Sequence, residues 1–368
     1  MKSSNYEYVP IGKVGKVITG KTPVTSNREY YGGSYMFISP TELHGNYVIT
    51  KSEKTITEDG MNSIKSNTIQ GTSILVGCIG WDMGNVAMCF EKCATNQQIN
   101  SITNIKSKYN PYYIYYWLKG KKDYLFSIAS VTRTPILSKS VFEEVVIPFP
   151  ERDIQDNIAN TLLKIDEKIL INNKINDNLS AMAYDTYMHS FYGKKPNGKL
   201  DDILIENEKS KVQVREAKDS DGDYPFFTSG KAILRWNNNF VDGRNCFLNT
   251  GGNADVKFYV GKAAYSTDTW CISANQNLAD YMYLLLMSIK PELNKKFFQG
   301  TGLKHLQKPL LRDRPIYIPD TDEISSFNSH VQHWFDIIAE NTRENQHLSA
   351  LRNWLLPMLM NGQATISE

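Results

Sequence analysis

Residues 158–179, IANTLLKIDEKILINNKINDNL, and residues 327–348, FNSHVQHWFDIIAENTRENQHL, decide how this chain is put together. In the first stretch Ile158, Leu162, Ile165, Ile169, Asn172, Asn176 and Leu179 step by four, three, four, three, four and three, the a/d seam of a paired helix. Phe327, Val331, Trp334, Ile338, Asn341, Asn345 and Leu348 take the same steps 169 residues later. Both copies place asparagine at the same two seam positions. A buried asparagine weakens an apolar seam but fixes its register and partner, because only another polar group satisfies its amide. The spacing predicts two long helices paired antiparallel, with Asn172 near Asn345 and Asn176 near Asn341. Each would run roughly 30 to 35 residues, or about 50 Å at 1.5 Å per residue.

The same offset carries other features. Tyr112–Leu118 falls on Tyr281–Met287, two apolar-aromatic runs suited to a buried helix; Leu137 and Lys139 fall on Leu306 and Lys308, and Pro150 falls on Pro319. Each proline ends a short strand-like run, Val145–Pro150 and Pro315–Pro319. Charge follows the duplication. Residues 1–150 hold 16 Lys+Arg against 11 Asp+Glu and residues 193–320 hold 19 against 15, whereas 151–192 hold 4 against 7 and 321–368 hold 2 against 6. The expected organisation is a domain over 1–150, a helical spacer over 151–192, a second domain over 193–320 and a second spacer over 321–368. This is an α+β architecture: two globular α/β domains in a pseudo-two-fold arrangement, joined by two long helices forming an antiparallel coiled coil. Two basic bodies held apart by a ~50 Å rod would meet duplex DNA more than one helical turn apart, so the implied target is bipartite with an unread spacer.

Length and composition limit the alternatives. At 368 residues the chain suits about two to three domains. With 41% apolar and 22% charged residues it reads as globular. The longest apolar run, Tyr281–Met287, is far short of the roughly 20 residues of a bilayer span, and Met1–Tyr8 is too polar for a signal segment, so the expected location is cytoplasmic, off the membrane. Five cysteines at irregular spacing suit free thiols; Cys89 and Cys93 lie four apart with no second ligand pair near them, so no metal site is expected. Gly15–Thr22 satisfies the phosphate-loop pattern, yet Pro23 and a polar stretch follow where that loop needs a helix. Lys21 and Thr22 are instead expected at DNA phosphates. Asn110-Pro111-Tyr112-Tyr113 lacks the second proline of the adenine-gripping loop of amino-methyltransferases and reads as a helix start. His330 and His333 stand three apart on an acidic helix, and no nucleophile elbow or paired-carboxylate motif is present. The chain is expected to be non-catalytic.

With these residues in view, the chain resembles the specificity subunit of type I restriction-modification enzymes. The marks are Ile11-Gly12-Lys13 leading into Thr19-Gly20-Lys21-Thr22-Pro23, and Thr95-Asn96-Gln97-Gln98-Ile99-Asn100 closing a domain. The helix from Ile165-Asp166-Glu167-Lys168-Ile169 and the end Leu355–Gly362 complete the pattern, which covers essentially the whole chain. The resemblance implies that each variable domain is a target-recognition domain for half of a bipartite DNA site, and that the helices set the spacing and dock two modification (methyltransferase) subunits, joined by restriction-translocase subunits. S-adenosylmethionine, ATP and magnesium would sit on those partners, with no cofactor in this chain. One departure stands out: Gln276 follows Asn275 in the second domain, but Asp268-Thr269 lies, by eye, where the first has Thr95-Asn96. The second domain is also shorter, its start offset by 186 to 189 residues and its end by 169.

Cationic and amide side chains in loops are the DNA-binding candidates: Lys16, Lys21, Thr22, Arg28, Lys51, Lys54, Lys106, Lys108 and Arg133 in the first domain, and Arg235, Asn237, Asn238, Arg244, Asn253, Lys257 and Lys304 in the second. Arginine pairs bidentately with guanine and amides with adenine, while lysine more often meets phosphate. Two other readings stand beside this one. A degenerate methyltransferase or ATPase would bind S-adenosylmethionine or ATP as the isolated chain. A coiled-coil scaffold would show no tight, salt-dependent association with DNA.

Overall fold

Ser73-Ile74-Leu75-Val76-Gly77 is buried throughout, and the alternation of its side chains serves two cores at once. Ile74 and Val76 join one hydrophobic cluster and Leu75 another. In the computed structural model, which describes residues 6–131, 133–275 and 277–363, that strand lies at the heart of the first of two compact units. The first unit runs to Leu170 and resumes at His347; the second spans Ile171–Gln346.

The strands of the first unit are β1 (Glu7–Pro10), β2 (Lys16–Thr19), β3 (Tyr31–Ile38), β4 (Lys54–Ile56), β5 (Thr68–Ile69), β6 (Ser73–Gly77), β7 (Val86–Cys89), β8 (Cys93–Thr95), β9 (Ile99–Thr103), β10 (Ser130–Val131), β11 (Pro135–Ile136) and β12 (Val146–Phe149). An antiparallel sheet runs β2-β9-β6-β7; a second runs β4-β3-β8-β5, with β3 and β8 parallel. Leu75, Ala87, Cys89 and Ile99 face the core shared with β3, β5 and β8, while Val76, Met88 and Ile102 face helix α1 (Pro111–Lys119). The Asn110 side chain accepts the backbone N–H groups of Tyr112 and Tyr113, so Asn-Pro-Tyr-Tyr starts this helix. Helix α2, Arg152–Ser190, begins in this unit and passes into the second at Ile171.

The second unit repeats the plan. Its strands are β13 (Gly198–Lys199), β14 (Leu204–Glu206), β15 (Tyr224–Phe227), β16 (Ile233–Trp236), β17 (Arg244–Asn249), β18 (Val256–Val260), β19 (Ala264–Tyr265), β20 (Thr269–Ala274), β21 (Phe298–Gln299), β22 (His305–Leu306) and β23 (Pro315–Ile316). The order β14-β20-β17-β18 matches β2-β9-β6-β7, and β16-β15-β19, with β15 and β19 parallel, matches β4-β3-β8. Helix α3 (Ala279–Ser288) takes the place of α1. Phe37 pairs with Ala94 as Phe226 pairs with Ala264, which places the offset change, from 189 to 170 residues, between these strands. The helical turn Glu58–Ser63 and β5, inside the interval 57–72, have no counterpart among the described residues in the shorter interval 237–243.

Helix α4, Thr321–Met360, closes the duplication. At 39 and 40 residues, α2 and α4 are longer than the heptads alone predict, because α2 continues its buried stripe past Leu179 through Ala183 and Tyr187 into the core of the second unit. Within that unit α2 and α4 run antiparallel. Asn172 Nδ2 donates to Asn345 Oδ1 at 2.9 Å, Asn341 Nδ2 donates to Asn176 Oδ1 at 2.8 Å, and the Phe191 and Phe327 rings meet at 5.1 Å. Asn172 Nδ2 also reaches Glu344 Oε2, and Asn345 Nδ2 reaches Asn173 Oδ1. Each long helix contributes one part to each compact unit.

Candidate nucleic-acid interface

Strand ends decide which loops can act together. β2 and β6 end, and β9 begins, on the same side of the first sheet, since Thr19 pairs with Asn100 and Gly77 with Ile99. Thr19–Pro23 therefore meets Thr95–Asn100. Gly20 N–H donates to the Ile99 carbonyl, Thr19 Oγ1 donates to Asn100 Oδ1 at 2.7 Å, and Thr22 Oγ1 donates to Gln97 Oε1 at 2.8 Å. A Cβ on Gly20 would overlap the Asn96 carbonyl oxygen and Thr95 Oγ1, so only glycine lets the two motifs touch. Asn96 and Gln98 brace each other, Asn96 Nδ2 on Gln98 Oε1 and Gln98 N–H on Asn96 Oδ1.

Two further loops reach this end. After β6 the chain turns through Gly80-Trp81-Asp82-Met83-Gly84, with both glycines at positive φ. Gly80 N–H donates to the Pro135 carbonyl and Leu137 N–H to that of Cys78, which ties the turn to the β10–β11 hairpin carrying Arg133. Trp81 is 70% exposed although it is tryptophan. Lys21 and Arg133 are exposed here. Asp82 is held below the usual carboxylate range by Lys122 and His44, against the opposing effect of its burial.

The second unit builds the same end from different residues. Asn96 N–H donates to the Ile38 carbonyl, and Ser266 N–H donates to that of Phe227; Ile99 N–H donates to Asn96, and Thr269 N–H to Ser266. Thr95-Asn96 thus corresponds to Tyr265-Ser266, not to Asp268-Thr269 as the sequence suggested by eye, because the offset here is 170. Asn275 N–H bonds the Ile203 carbonyl, and Gln276 lies outside the described residues. Lys209 and Lys211 were missed as candidates; they line, with Glu208, Ser210, Phe240 and Tyr265, a cavity of about 410 Å³. The signal was present as Glu208-Lys209-Ser210-Lys211, but it has no glycine to align it on Thr-Gly-Lys-Thr. Asn253 and Lys304 are exposed in the loops after β17 and in the β21–β22 hairpin, where Gly252 N–H donates to the Lys304 carbonyl.

The other candidates lie elsewhere or are engaged. Lys16 and Lys106 are exposed at the opposite end of the first sheet, where Lys16 pairs with Thr103; Lys108 forms an ion pair with Glu7. Arg28 is exposed ahead of β3, as are Lys51 and Lys54 before and on β4. Asn237 and Asn238 are exposed after β16. Three second-domain candidates make contacts within the chain. Arg244 donates to both oxygens of Asp280 at 2.8 Å, to the Gln332 carbonyl and to Asp336, so its guanidinium anchors the domain to α4. Burial raises the Asp280 carboxyl to about 6 even against that arginine. Lys257 Nζ donates to the Thr228 and Gly230 carbonyls, and burial lowers its pKa. Arg235 Nε donates to the Gly222 carbonyl, beside Asp223.

The remaining motifs are structurally plain. Lys16–Thr19 of the phosphate-loop pattern is strand, and residues 20–27 directly after it form no helix. Cys89 and Cys93 are buried thiols 3.5 Å apart; among the described residues no three His, Cys, Asp or Glu side chains group as metal ligands. Among those residues no helix is long and apolar enough to cross a membrane.

Known proteins share this plan. The family model described as type I restriction modification DNA specificity domain matches residues 3–181 and 194–348. The MjaIX specificity subunit of a type I restriction enzyme from Methanocaldococcus jannaschii is 24% identical over 412 aligned positions, covering 99% of this chain and 94% of its own. The HindI specificity subunit from Haemophilus influenzae is 33% identical over 180 positions, 48% of this chain and 39% of its own. The crystal structure of a type I system S subunit from M. genitalium superposes with a TM-score of 0.56 at 16% identity over 98% of this chain and 97% of that one, a likeness of fold.

Proposed function

The chain belongs to the type I restriction-modification DNA specificity family and is a specificity subunit with two target-recognition domains, and from that premise we propose how it reads DNA and assembles. Each domain reads one half of a bipartite, gapped site in double-stranded DNA with the loop end of its sheet. In the first domain the contacts come from Lys21, Thr22 and the Gln97-Gln98 amides, the Gly80–Gly84 turn with Trp81, and Arg133. In the second they come from Lys209, Lys211, Asn253 and Lys304. Amides and arginine suit base edges, and lysines suit phosphate. Arg28, Lys51, Lys54, Asn237 and Asn238 flank these loops as secondary contacts; Lys16, Lys106 and Lys108 stand at the far end of the sheet and serve at most the backbone.

The observation that carries this reading is the duplication itself: one loop end, built twice from different side chains on one strand order. A scaffold needs no such variation at one end of a repeated sheet. The paired asparagines fix the register of the helices and thereby the spacer between half-sites. Two methyltransferase subunits dock on the helical parts, and restriction-translocase subunits join them. Adenine methylation and cleavage, with S-adenosylmethionine, ATP and magnesium, belong to those partners, in the cytoplasm.

Strand-resolved mapping of methylated adenine in the source cell, with this gene intact and deleted, tests the proposal. Loss of one gapped motif on deletion is expected, and exchange of residues 1–150 for those of another specificity subunit should change one half of that motif and leave the other. An unchanged methylome together with sequence-independent DNA binding by the purified chain would refute it.

A further inference from the structure

The first unit holds a polar cluster that its repeat does not need. Tyr116 Oη donates to Asp166 Oδ2 at 2.8 Å, Arg352 donates to Asp166 Oδ1, and Lys119 Nζ donates to Tyr115 Oη at 2.7 Å. Asp166 is 4% exposed. Arg352 is paired with the one buried carboxylate while Lys119 is held by a phenol, so the cluster carries an excess positive charge. Applying the 169-residue offset, the second unit has Leu284, Leu285, Ser288, Phe335 and Ala183 at the positions of Tyr115, Tyr116, Lys119, Asp166 and Arg352. Leu284, Leu285, Phe335 and Ala183 belong to an apolar core there. The fold closes without the charges, so folding alone does not explain them.

Beside the cluster lies a cavity of about 550 Å³, lined by Trp117, Lys119, Lys121, Arg352, Leu356 and Pro357 among others. Burial and the nearby Arg352 lower the Lys119 ammonium to about 8. The corresponding cavity of the second unit, about 310 Å³, has Ser288 in place of the lysine, and its cations Lys194 and Arg314 are already paired with Glu323 and Glu292.

We infer that the Lys119–Arg352 cavity binds the carboxylate of an acidic residue flanked by apolar side chains in a partner polypeptide. The carboxylate completes the charge of the cluster, and Trp117, Leu356 and Pro357 take the flanking apolar groups. A DNA phosphate fits less well: phosphates are met by exposed, solvated cations, whereas these walls are half apolar and Arg352 already holds a carboxylate. The site deepens the proposed function, on which the identity of the partner as a methyltransferase subunit rests, and makes the two docking positions chemically unequal.

The test follows acetylation of Lys119 in the full chain by mass spectrometry, with N-acetyl-leucyl-glutamyl-leucinamide as probe. Saturating probe should slow acetylation about fivefold or more, while the glutaminyl analogue and inorganic phosphate change it by less than about twofold. In calorimetry Lys119→Met should weaken the probe about tenfold, Lys119→Arg should retain it, and Ser288→Met should have no effect. No protection by the probe, or equal protection by phosphate, overturns the inference. Adding the methyltransferase subunit then separates the two readings. Its failure to bind the chain at all would count against the proposed function while the probe still decides the site; its binding with Lys119 left fully reactive would remove it as the occupant.

Discussion

The two units share a strand order and differ in nearly everything that fills it. In the first, Thr19–Pro23 closes on Thr95–Asn100 through a glycine with no room for a Cβ; in the second, Lys209 stands three residues before Val212, whose carbonyl accepts the Thr267 N–H. Each unit also keeps a private ion cluster. The second ties Arg244 to Asp280 and Asp336, and the first gathers Lys119, Asp166 and Arg352. Backbone pairing and apolar alternation tolerate many side chains, so duplication preserves them. Loops and half-buried charges are not held by that pairing, so they diverge.

Four substitutions would break or sharpen that comparison. The largest effect is expected from Arg244→Met, which leaves Asp280 buried without its partner and should destabilise the second unit by about 3–5 kcal/mol. Urea unfolding read by probes placed in each unit should show the loss in the second alone; full stability with loss of half-site selectivity would instead make Arg244 a base reader. Gly20→Ala should cost the first unit about 1–3 kcal/mol by forcing apart two backbone segments, and a thermal scan in which the variant melts like the parent would contradict the close approach. Arg133→Ala should cost about 1–3 kcal/mol of binding at one base of the first half-site if it reads a base. Equal losses on matched and altered duplexes would reassign it to phosphate.

The smallest effect concerns Lys119. Its folded pKa of about 8 lies below the ordinary 10.5, so the unfolded chain binds more protons between those values and stability rises with pH across that window. Lys119→Met should therefore stabilise the first unit at pH 7 by about 1–2 kcal/mol, with the gain fading as pH approaches 10.5. Bound acidic probe should abolish the difference. A destabilised Lys119→Met chain at pH 7 would mean that the ammonium already has its counter-charge within the fold.

Much of the architecture was legible because it rests on periodicity. Heptad steps with asparagines at matched seam positions point to the Asn172–Asn345 and Asn176–Asn341 contacts, since a buried amide has few ways to be satisfied. The loop motifs were legible as marks but not as a site. Thr-Gly-Lys-Thr and Asn-Gln-Gln lie some 75 residues apart, as Thr22 and Gln97 do, and only strand pairing brings them together. Among single cations the reading was weakest: Arg244 and Lys257 look in sequence like Lys21 and Arg133, yet the first two are engaged by carboxylates and carbonyls.

By itself the sequence determined the duplication, the two long helices, the polar ties of their seam and the family resemblance, because these depend on spacing along the chain and on burial patterns that local residues impose. Tertiary structure alone decided which loops share one end of each sheet, where Thr95-Asn96 has its counterpart, which cations are free, and that one half keeps an unbalanced charge cluster beside a cavity. The reason is physical: periodicity is written in neighbouring residues, whereas the partner that neutralises a charge is chosen by folding from residues far away in the chain.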